Sequence, residues 1–233
     1  MKVTGERCVL GKSGKFLEKT HLARYEFVLQ YVLDKKVLDL GCGNGYGADL
    51  IASKASEVVG IDISEEAINY AIQHYERKNV HFYVGNVLNL NLLKNKEFDV
   101  IVSFEVIEHI ADHSQYLKEI RRVLKDDGIL IISTPNKRCH SPNSEKPTNP
   151  FHVIEFELDD FENLLKKHFG NVKLYGHYHC PRIKNILKKL LPQRAWEAVR
   201  QTIIGDIYQT KQASYFSDKD VGNYSNFMAI CKE

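Results

Sequence analysis

The pattern of apolar and polar positions divides the chain into short apolar runs and stretches of helical spacing. Five apolar runs are typical of strands, at residues 36–40, 57–61, 80–84, 98–103 and 128–133. Four stretches with apolar positions at helical spacing predict helices, at residues 16–33, 46–54, 64–77 and 112–124. Ser64 and Asp112 stand where helix N-caps are expected. Alternation of strands and helices at this rhythm predicts a doubly wound, mainly parallel α/β sheet.

The character of the chain changes after residue 134. Residues 135–150 hold four of the six prolines, which predicts a loop. A helix at 157–167 and strands at 171–175 and 226–231 complete an expected Rossmann-like sheet of seven strands with an antiparallel last strand. The region 181–224 is too long for a plain connection, and two helical stretches broken at Pro192 predict an inserted helical cap.

We therefore expect one domain over residues 1–233. Its parts are an N-terminal helical segment, a Rossmann-like core, a helical cap and a terminal strand, at residues 1–34, 35–180, 181–224 and 225–233.

Composition places the chain among soluble globular proteins. Apolar residues make up 43% of it, and the net charge of +2 gives no sign of a nucleic-acid partner. The start of the chain has no signal-peptide pattern, and no apolar run approaches the ~20 residues that span a bilayer. Five scattered cysteines predict neither a disulfide framework nor a zinc knuckle, which favours a cytoplasmic location. The basic amphipathic stretch 182–191 leaves a peripheral membrane contact open, beside a helix packed on the domain.

A glycine-rich turn follows the first predicted strand, where residues 37–45 read VLDLGCGNG. Glycines such as Gly41 and Gly43 let the backbone turn tightly and approach a ligand. Asp39 precedes the turn, and a carboxylate there suits an ammonium group but repels a pyrophosphate. This favours a cofactor with an amino-acid moiety over a nicotinamide dinucleotide. Asp62 ends the second strand, where a carboxylate accepts hydrogen bonds from ribose hydroxyls of either cofactor class.

These motifs resemble those of class I S-adenosylmethionine-dependent methyltransferases. The likeness extends over residues 36–136 in the family's order, through the segments 37–45, 59–64, 98–103 and 124–130. It implies a methyltransferase of class EC 2.1.1.- with S-adenosylmethionine as cofactor and S-adenosylhomocysteine as product.

The resemblance also implies roles for residues around the turn. Ile63 and Val87 would flank the adenine, and Glu105 would approach the methionine end. Most members of the family carry Gly-Asp after the third strand, where this chain has Gly85 and Asn86. An amide can still accept a hydrogen bond from the adenine amine.

The acceptor side is predicted by residues 105–109, which read EVIEH. This block resembles ubiquinone-pathway O-methyltransferases and small-RNA 3′-terminal 2′-O-methyltransferases. The RNA enzymes bind a divalent metal here, which implies an alternative metal site of Glu105, Glu108, His109 and His152. Without a metal, His109 or His152 would act as general base on a hydroxyl, because histidine titrates near neutral pH. We expect His109, His152 and Glu108 to be catalytic, and we assign no metal ligand. A role for Glu108 and His109 in capping and orienting the loop stays open.

The ends of the chain resemble methyltransferases of bacterial surface-glycan assembly, at residues 4–7, 18–27, 149–152 and 190–192. This favours a hydroxyl on a sugar or glycan intermediate, or another small molecule, as acceptor. Arg24 and Tyr25 would close over the methionine carboxylate, although Tyr25 also falls on an apolar helix face and could be core. The alternatives are a metal-dependent RNA 2′-O-methyltransferase, a non-catalytic adenosylmethionine-binding module and a nicotinamide oxidoreductase. The oligomeric state is left open.

Overall fold

The computed structural model describes residues 8–75, 77–142, 144–179 and 216–233. Eight strands in these ranges form one sheet: β1 (Lys36–Leu40), β2 (Glu57–Asp62), β3 (Val80–Val84), β4 (Phe98–Phe104), β5 (Leu124–Pro135), β6 (Asn171–His179), β7 (Phe216–Ser217) and β8 (Tyr224–Lys232). Their order is β3-β2-β1-β4-β5-β8-β6-β7. The pairings among β1 to β5 are parallel, and those of β8 with β5 and β6, and of β7 with β6, are antiparallel.

Six α-helices connect or flank the described strands: α1 (Lys15–Val28), α2 (Tyr46–Ala52), α3 (Glu65–His74), α4 (His113–Val123), α5 (Lys137–His140) and α6 (Leu158–Lys166). Single 3₁₀ turns cover Ile107–His109 and Val221–Asn223. The two predicted N-caps are confirmed, because Ser64 Oγ accepts from Ala67 N at 3.3 Å and Asp112 Oδ1 accepts from Gln115 N at 2.9 Å. Among the described residues, no helix is long and apolar enough to cross a lipid bilayer.

The doubly wound, mainly parallel sheet is confirmed, with three local differences. The eighth strand is β7, a two-residue addition at the sheet edge. The predicted loop 135–150 contains the single turn of α5. β5 begins at Leu124 instead of residue 128, because Leu124 pairs with Phe98 before a register shift. Of the predicted cap, residues 181–215 lie outside the described part of the chain, and the remainder contains β7, a 3₁₀ turn and the first residue of β8.

The sheet lies between two layers of helices, which explains why its strands are short apolar runs. In β1, Val37 faces a core cluster that includes residues of α1, α2 and α3. Leu38 and Leu40 face the opposite cluster, which includes residues of α4 and α6. Burial on both faces fixes the register of the central strands, since a shift of one residue would exchange the two faces.

The cysteines differ from expectation at one position. Cys8, Cys42 and Cys231 are buried free thiols, whereas Cys139 is disulfide-bonded. The scattered spacing of the cysteines gives no sign of this bond.

Candidate active site

A cavity of about 300 Å³ lies at the carboxyl ends of β1, β2 and β4. Strand order reverses between β1 and β4, and open α/β sheets bind ligands at such a switch point. Its wall contains eight of the nine residues predicted to bind the cofactor: Tyr25, Gly41, Gly43, Asp62, Ile63, Asn86, Val87 and Glu105. The predicted catalytic residue His109 also lines it. The structure therefore brings together residues that are up to 84 positions apart in sequence.

The glycine turn is fixed by hydrogen bonds to β2. Asp62 accepts from Gly43 N through Oδ2 at 2.9 Å and from Ser64 N through Oδ1 at 2.8 Å. Gly41 has a φ of +74°, and a Cβ at this position would lie 2.3 Å from Cγ2 of Val106. Each carboxylate oxygen of Asp62 keeps a second lone pair, which can accept from a ligand hydroxyl.

Apolar surface lies beside Asp62 on the cavity wall. Ile63 is 73% exposed, whereas Val87 is buried. Exposed isoleucine at a cavity edge is apolar surface that a flat ring can cover. Asn86 Oδ1 accepts from Leu88 N at 2.9 Å, so one lone pair of the amide oxygen forms a local turn.

Helix α1 supplies another side of the cavity through Tyr25, which covers Asp39. The Tyr25 hydroxyl lies 3.3 Å from both carboxylate oxygens of Asp39, which is fully buried and absent from the cavity wall. Gly47 makes room for the ring, since a Cβ there would lie 2.0 Å from Cζ of Tyr25. Tyr25 is thus both a core residue and a wall residue, and its contact with the methionine carboxylate stays a prediction.

Glu105 occupies a strained position at the end of β4. Its φ is +56°, a left-handed conformation that few residues other than glycine adopt. Ser133 Oγ donates to Oε1 at 2.7 Å, and Asn226 Nδ2 donates to Oε2 at 2.7 Å. Arg24 Nη2 lies 3.5 Å from Oε2. These partners hold the carboxylate against the cavity wall.

Arg24 is buried with part of its guanidinium unpaired. Its Nε and Nη1 atoms have no hydrogen-bond partner within the described residues, and the side chain lines the cavity. A buried donor without a partner is costly, and a guanidinium is suited to a carboxylate. A ligand carboxylate in this cavity would satisfy these atoms.

The predicted catalytic residues differ in their position relative to the cavity wall. His109 lines the cavity, and its Nδ1 lies 2.8 Å from the carbonyl oxygen of Phe151. A carbonyl only accepts, so Nδ1 carries a proton and Nε2 is the basic nitrogen of the neutral ring. The ring centroid of His152 lies 5.0 Å from that of His109, but His152 does not line the cavity.

His152 is held on both sides. Its Nδ1 lies 2.9 Å from Glu155 Oε1, and its Nε2 lies 2.9 Å from Nδ2 of Asn149. Although burial raises the pKa of Glu155, the hydrogen bond from His152 brings it below its usual value. An ionised Glu155 accepts a hydrogen bond from Nδ1–H of His152. Nε2 of His152 therefore accepts a hydrogen bond from Nδ2 of Asn149.

Glu108 is fully buried behind the cavity wall. Its Oε2 accepts from Thr134 Oγ1 at 3.2 Å, and its backbone oxygen accepts from Val153 N at 2.8 Å. Burial and the nearby charge of Glu105 raise the pKa of Glu108 well above its usual value, which favours the neutral acid. The backbone bonds show that Glu108 also orients the loop that carries His152.

Three of the four residues of the alternative metal site come together. Ligand atoms of Glu108, His109 and His152 lie within 4.8 Å of one another. Glu105 is outside this group, and its two oxygens accept from Ser133 and Asn226. The predicted four-ligand arrangement is therefore not assembled in this structure.

Comparison with known proteins agrees with this geometry. A family model described as a methyltransferase domain matches residues 33–191. This chain belongs to the class I S-adenosylmethionine-dependent methyltransferase family. A Mycobacterium tuberculosis protein named probable S-adenosylmethionine-dependent methyltransferase is 35% identical over 188 residues, which are 80% of this chain and 68% of that protein. The methyltransferase is thus an enzyme that uses S-adenosylmethionine.

Two further likenesses are less extensive or limited to the fold. A ubiquinone biosynthesis O-methyltransferase of Pelagibacter ubique is 38% identical over 107 residues, which are 46% of this chain and 44% of that enzyme. A solved S-adenosylmethionine-dependent methyltransferase from Archaeoglobus fulgidus has a TM-score of 0.65 at 18% identity, over 95% of this chain and 96% of that chain. The second comparison supports the Rossmann-like fold of this methyltransferase.

Several wall residues of the methyltransferase were not predicted from the sequence. They are Cys8, His21, Cys42, Asn44, Tyr46, Phe104, Val106 and Ile110. His21 lies one helical turn before Arg24 and Tyr25, so the position of those residues on α1 is the signal that could have identified it.

We predict that replacing Asp39 with asparagine removes a pH dependence from the stability of the ligand-free methyltransferase. Burial and the charge of Asp62 raise the pKa of Asp39 from 3.8 to about 7, although the bond from Tyr25 lowers it. Because the folded pKa lies above the unfolded one, the contribution of Asp39 is complete below about pH 4 and is lost as the pH rises to about 7. The loss is on the order of 4 kcal/mol.

Urea unfolding of the wild type and Asp39→Asn at pH 5 and pH 8 measures this difference. We expect the variant to be the more stable protein at pH 8, because it buries no charge. Asp126→Asn, at an exposed position, is the matched control. The same pH slope in Asp39→Asn as in the wild type would contradict the prediction.

Proposed function

We propose that this methyltransferase methylates a hydroxyl of a sugar or glycan intermediate, or of another small molecule, with His109 as general base. The observation that carries the proposal is the position of His109 on the wall of the cavity that holds the predicted cofactor residues. The bond between Nδ1 and Phe151 also fixes the tautomer that presents a basic Nε2.

The cavity residues fit the parts of S-adenosylmethionine. Asp62 would accept from the ribose hydroxyls, and Ile63 and Val87 would cover the adenine faces, with Asn86 at its amine. The unpaired nitrogens of Arg24 would bind the methionine carboxylate. The carboxylates of Asp39, behind Tyr25, and of Glu105 provide negative charge near the cationic end.

When bound, S-adenosylmethionine supplies a methyl group that is already activated on a sulfonium. The protein therefore needs no covalent intermediate, and its tasks are to align the acceptor and to remove a proton. His109 Nε2 would take the proton of the acceptor hydroxyl during transfer of that methyl group to the acceptor oxygen. The hydrogen bonds of His152 with Glu155 and Asn149 stabilise the loop that carries all three residues. We propose that His152 positions His109.

A hydroxyl acceptor is supported by two features. Methylation of a hydroxyl at neutral pH benefits from a base at the site, and His109 provides one. The relative from Pelagibacter ubique is named an O-methyltransferase. The sugar or glycan part of the proposal rests on the resemblance of the chain ends described above.

A metal-dependent RNA 2′-O-methyltransferase is the second candidate, and the grouping of Glu108, His109 and His152 favours it. That grouping lacks Glu105, and the net charge of +2 provides little attraction for a phosphate backbone. Oxygen and imidazole ligands of this kind suit several divalent metals. The two candidates differ in their dependence on a metal.

The test begins with calorimetric titration of S-adenosylmethionine, with EDTA and with Mg²⁺ or Mn²⁺. Transfer of a labelled methyl group is then measured on nucleotide sugars, glycan fragments, their amine analogues and short RNA. We expect micromolar cofactor binding and formation of a methyl ether on a hydroxyl acceptor in EDTA. Transfer only to RNA and only with metal would favour the second candidate, and absence of cofactor binding would contradict both.

A further inference from the structure

The two edges of the sheet differ in how well they are protected against pairing with another chain. Among the described residues, β3 is the outer strand on one side and pairs only with β2, residue for residue from Val80 to Val84. The outer strand on the other side, β7, has only two residues. A five-residue edge strand presents a row of backbone N–H and C=O groups to which a further strand can bond.

The sequence of β3 contains none of the residues that commonly keep an edge strand from pairing. Natural sheets protect such edges with proline, charged side chains, bulges or very short strands. Residues 80–84 read VHFYV, without proline, lysine, arginine or a carboxylate. Tyr83 and Val84 are 49% and 48% exposed, and Ile72 of α3, which lines the same shallow surface cavity as Tyr83, is 50% exposed. The edge is therefore both accessible and apolar.

Charge is distributed unequally along this edge. Lys78 is exposed just before β3 begins, whereas Glu65 is exposed in the first turn of α3. Because α3 connects the parallel strands β2 and β3 and packs on both, it runs antiparallel to them, and its first turn lies at the carboxyl end of β3. Arg77 adds positive charge at the amino end, although it is paired with Asp49. The edge thus has a basic end and an acidic end.

We propose that β3 is a homodimer interface, at which two copies of this chain pair their β3 strands antiparallel about a two-fold axis. An axis near Phe82 places His81 opposite Tyr83 of the partner subunit, and Lys78 near Glu65 of the partner subunit. Antiparallel pairing brings opposite charges together at both ends, whereas parallel pairing would bring like charges together. The charge pattern therefore fits a second copy of this chain, and the two-fold contact closes as a dimer instead of continuing as a filament.

The first test measures the oligomeric state of the full chain by sedimentation velocity over a range of micromolar concentrations. We expect a dimer whose fraction rises with concentration. Tyr83→Lys should raise the dimer dissociation constant by at least about tenfold, because a charge on an edge strand opposes pairing. Leu92→Lys is the matched control, since Leu92 is 86% exposed and lies outside β3 and α3, and it should leave the dissociation constant unchanged. Backbone amides of β3 should exchange hydrogen more slowly in the dimer.

The second test uses charge reversal to determine the orientation of the two strands. Glu65→Lys or Lys78→Glu alone places like charges together at both ends of the antiparallel pair, and each should weaken the dimer by about tenfold at low salt. The double variant restores opposite charges and should recover the wild-type dissociation constant within about threefold. Lys78→Glu lies outside the strand, so it keeps the proposal testable if Tyr83→Lys does not fold.

Three results would overturn the proposal. The first is a wild type that stays monomeric at every concentration, which would leave the edge to a different partner. The second is a dimer that Tyr83→Lys does not weaken, because such a dimer would use another face of the molecule. The third is a double charge variant that associates no better than the single variants, which would exclude the antiparallel arrangement.

Discussion

Replacing His109 with alanine is expected to lower the rate of methyl transfer by about 10²- to 10⁴-fold, the usual contribution of a positioned general base. The affinity for S-adenosylmethionine should stay within about twofold, because the polar atoms assigned to the cofactor belong to other residues. We expect the loss of rate because His109 is the proposed general base: its ring lines the cavity, and its Nδ1 lies 2.8 Å from the carbonyl oxygen of Phe151. Single-turnover transfer with cofactor bound measures the chemical step directly.

Two further variants help to interpret a loss of rate in His109→Ala: a control variant and a variant that tests the role of His152. His81→Ala replaces an exposed histidine on β3, outside the cavity wall, and should leave both rate and affinity unchanged. Asn149→Ala removes the Nδ2 group that lies 2.9 Å from His152 Nε2, and it should give an intermediate rate because we propose that His152 positions His109. A His109→Ala enzyme with the wild-type rate on its acceptor would show that another group takes the proton.

Asp62→Ala is expected to weaken binding of S-adenosylmethionine by at least about 100-fold. Hydrogen bonds to a charged group contribute about 1.5–3 kcal/mol each, and two ribose hydroxyls can bond to this carboxylate. The substitution also releases Gly43 N and Ser64 N, which fix the glycine turn. Calorimetric titration gives the affinity, and thermal unfolding of the ligand-free protein shows how much of the loss comes from the fold.

Asp62→Asn separates the two contributions. The amide keeps one acceptor oxygen of the same shape, so it can retain one backbone bond but loses the charge. We expect a smaller loss than in Asp62→Ala, and no loss in Asp126→Ala, whose exposed carboxylate contacts Lys96. Wild-type affinity in Asp62→Ala would contradict the assignment of Asp62 to the ribose.

The central strands and the cofactor wall were predictable because their signals are local. β1 has the predicted bounds, since burial on both faces leaves a short apolar run that ends at a glycine. β3, at the edge of the sheet, also has the predicted bounds, and its first four residues alternate between buried and exposed. Asp62 and the glycine turn follow neighbouring parallel strands, so their side chains meet at one edge of the sheet. Pattern and topology together were enough to place these residues.

The anchors of Glu105 could not be predicted, because they depend on strand pairing over long sequence distances. Ser133 lies 28 residues and Asn226 lies 121 residues from Glu105. Ser133 approaches because β5 pairs with β4, and Asn226 approaches because β8 pairs with β5 and lies between β5 and β6; no local pattern specifies these pairings. Glu105 also lies outside the group formed by Glu108, His109 and His152, and the sequence alone left that metal site open.

The position of β8 also sets an order in which the enzyme can be completed. β8 is the last of the eight strands in chain order, yet it pairs with β5 and β6 and supplies Asn226 to Glu105. During synthesis, β5 and β6 emerge first and expose unpaired backbone edges, which other chains can pair with. Glu105 gains its second anchor only after β8 has emerged, so the cofactor cavity is completed later than the strands β1, β2 and β4 at whose ends it lies.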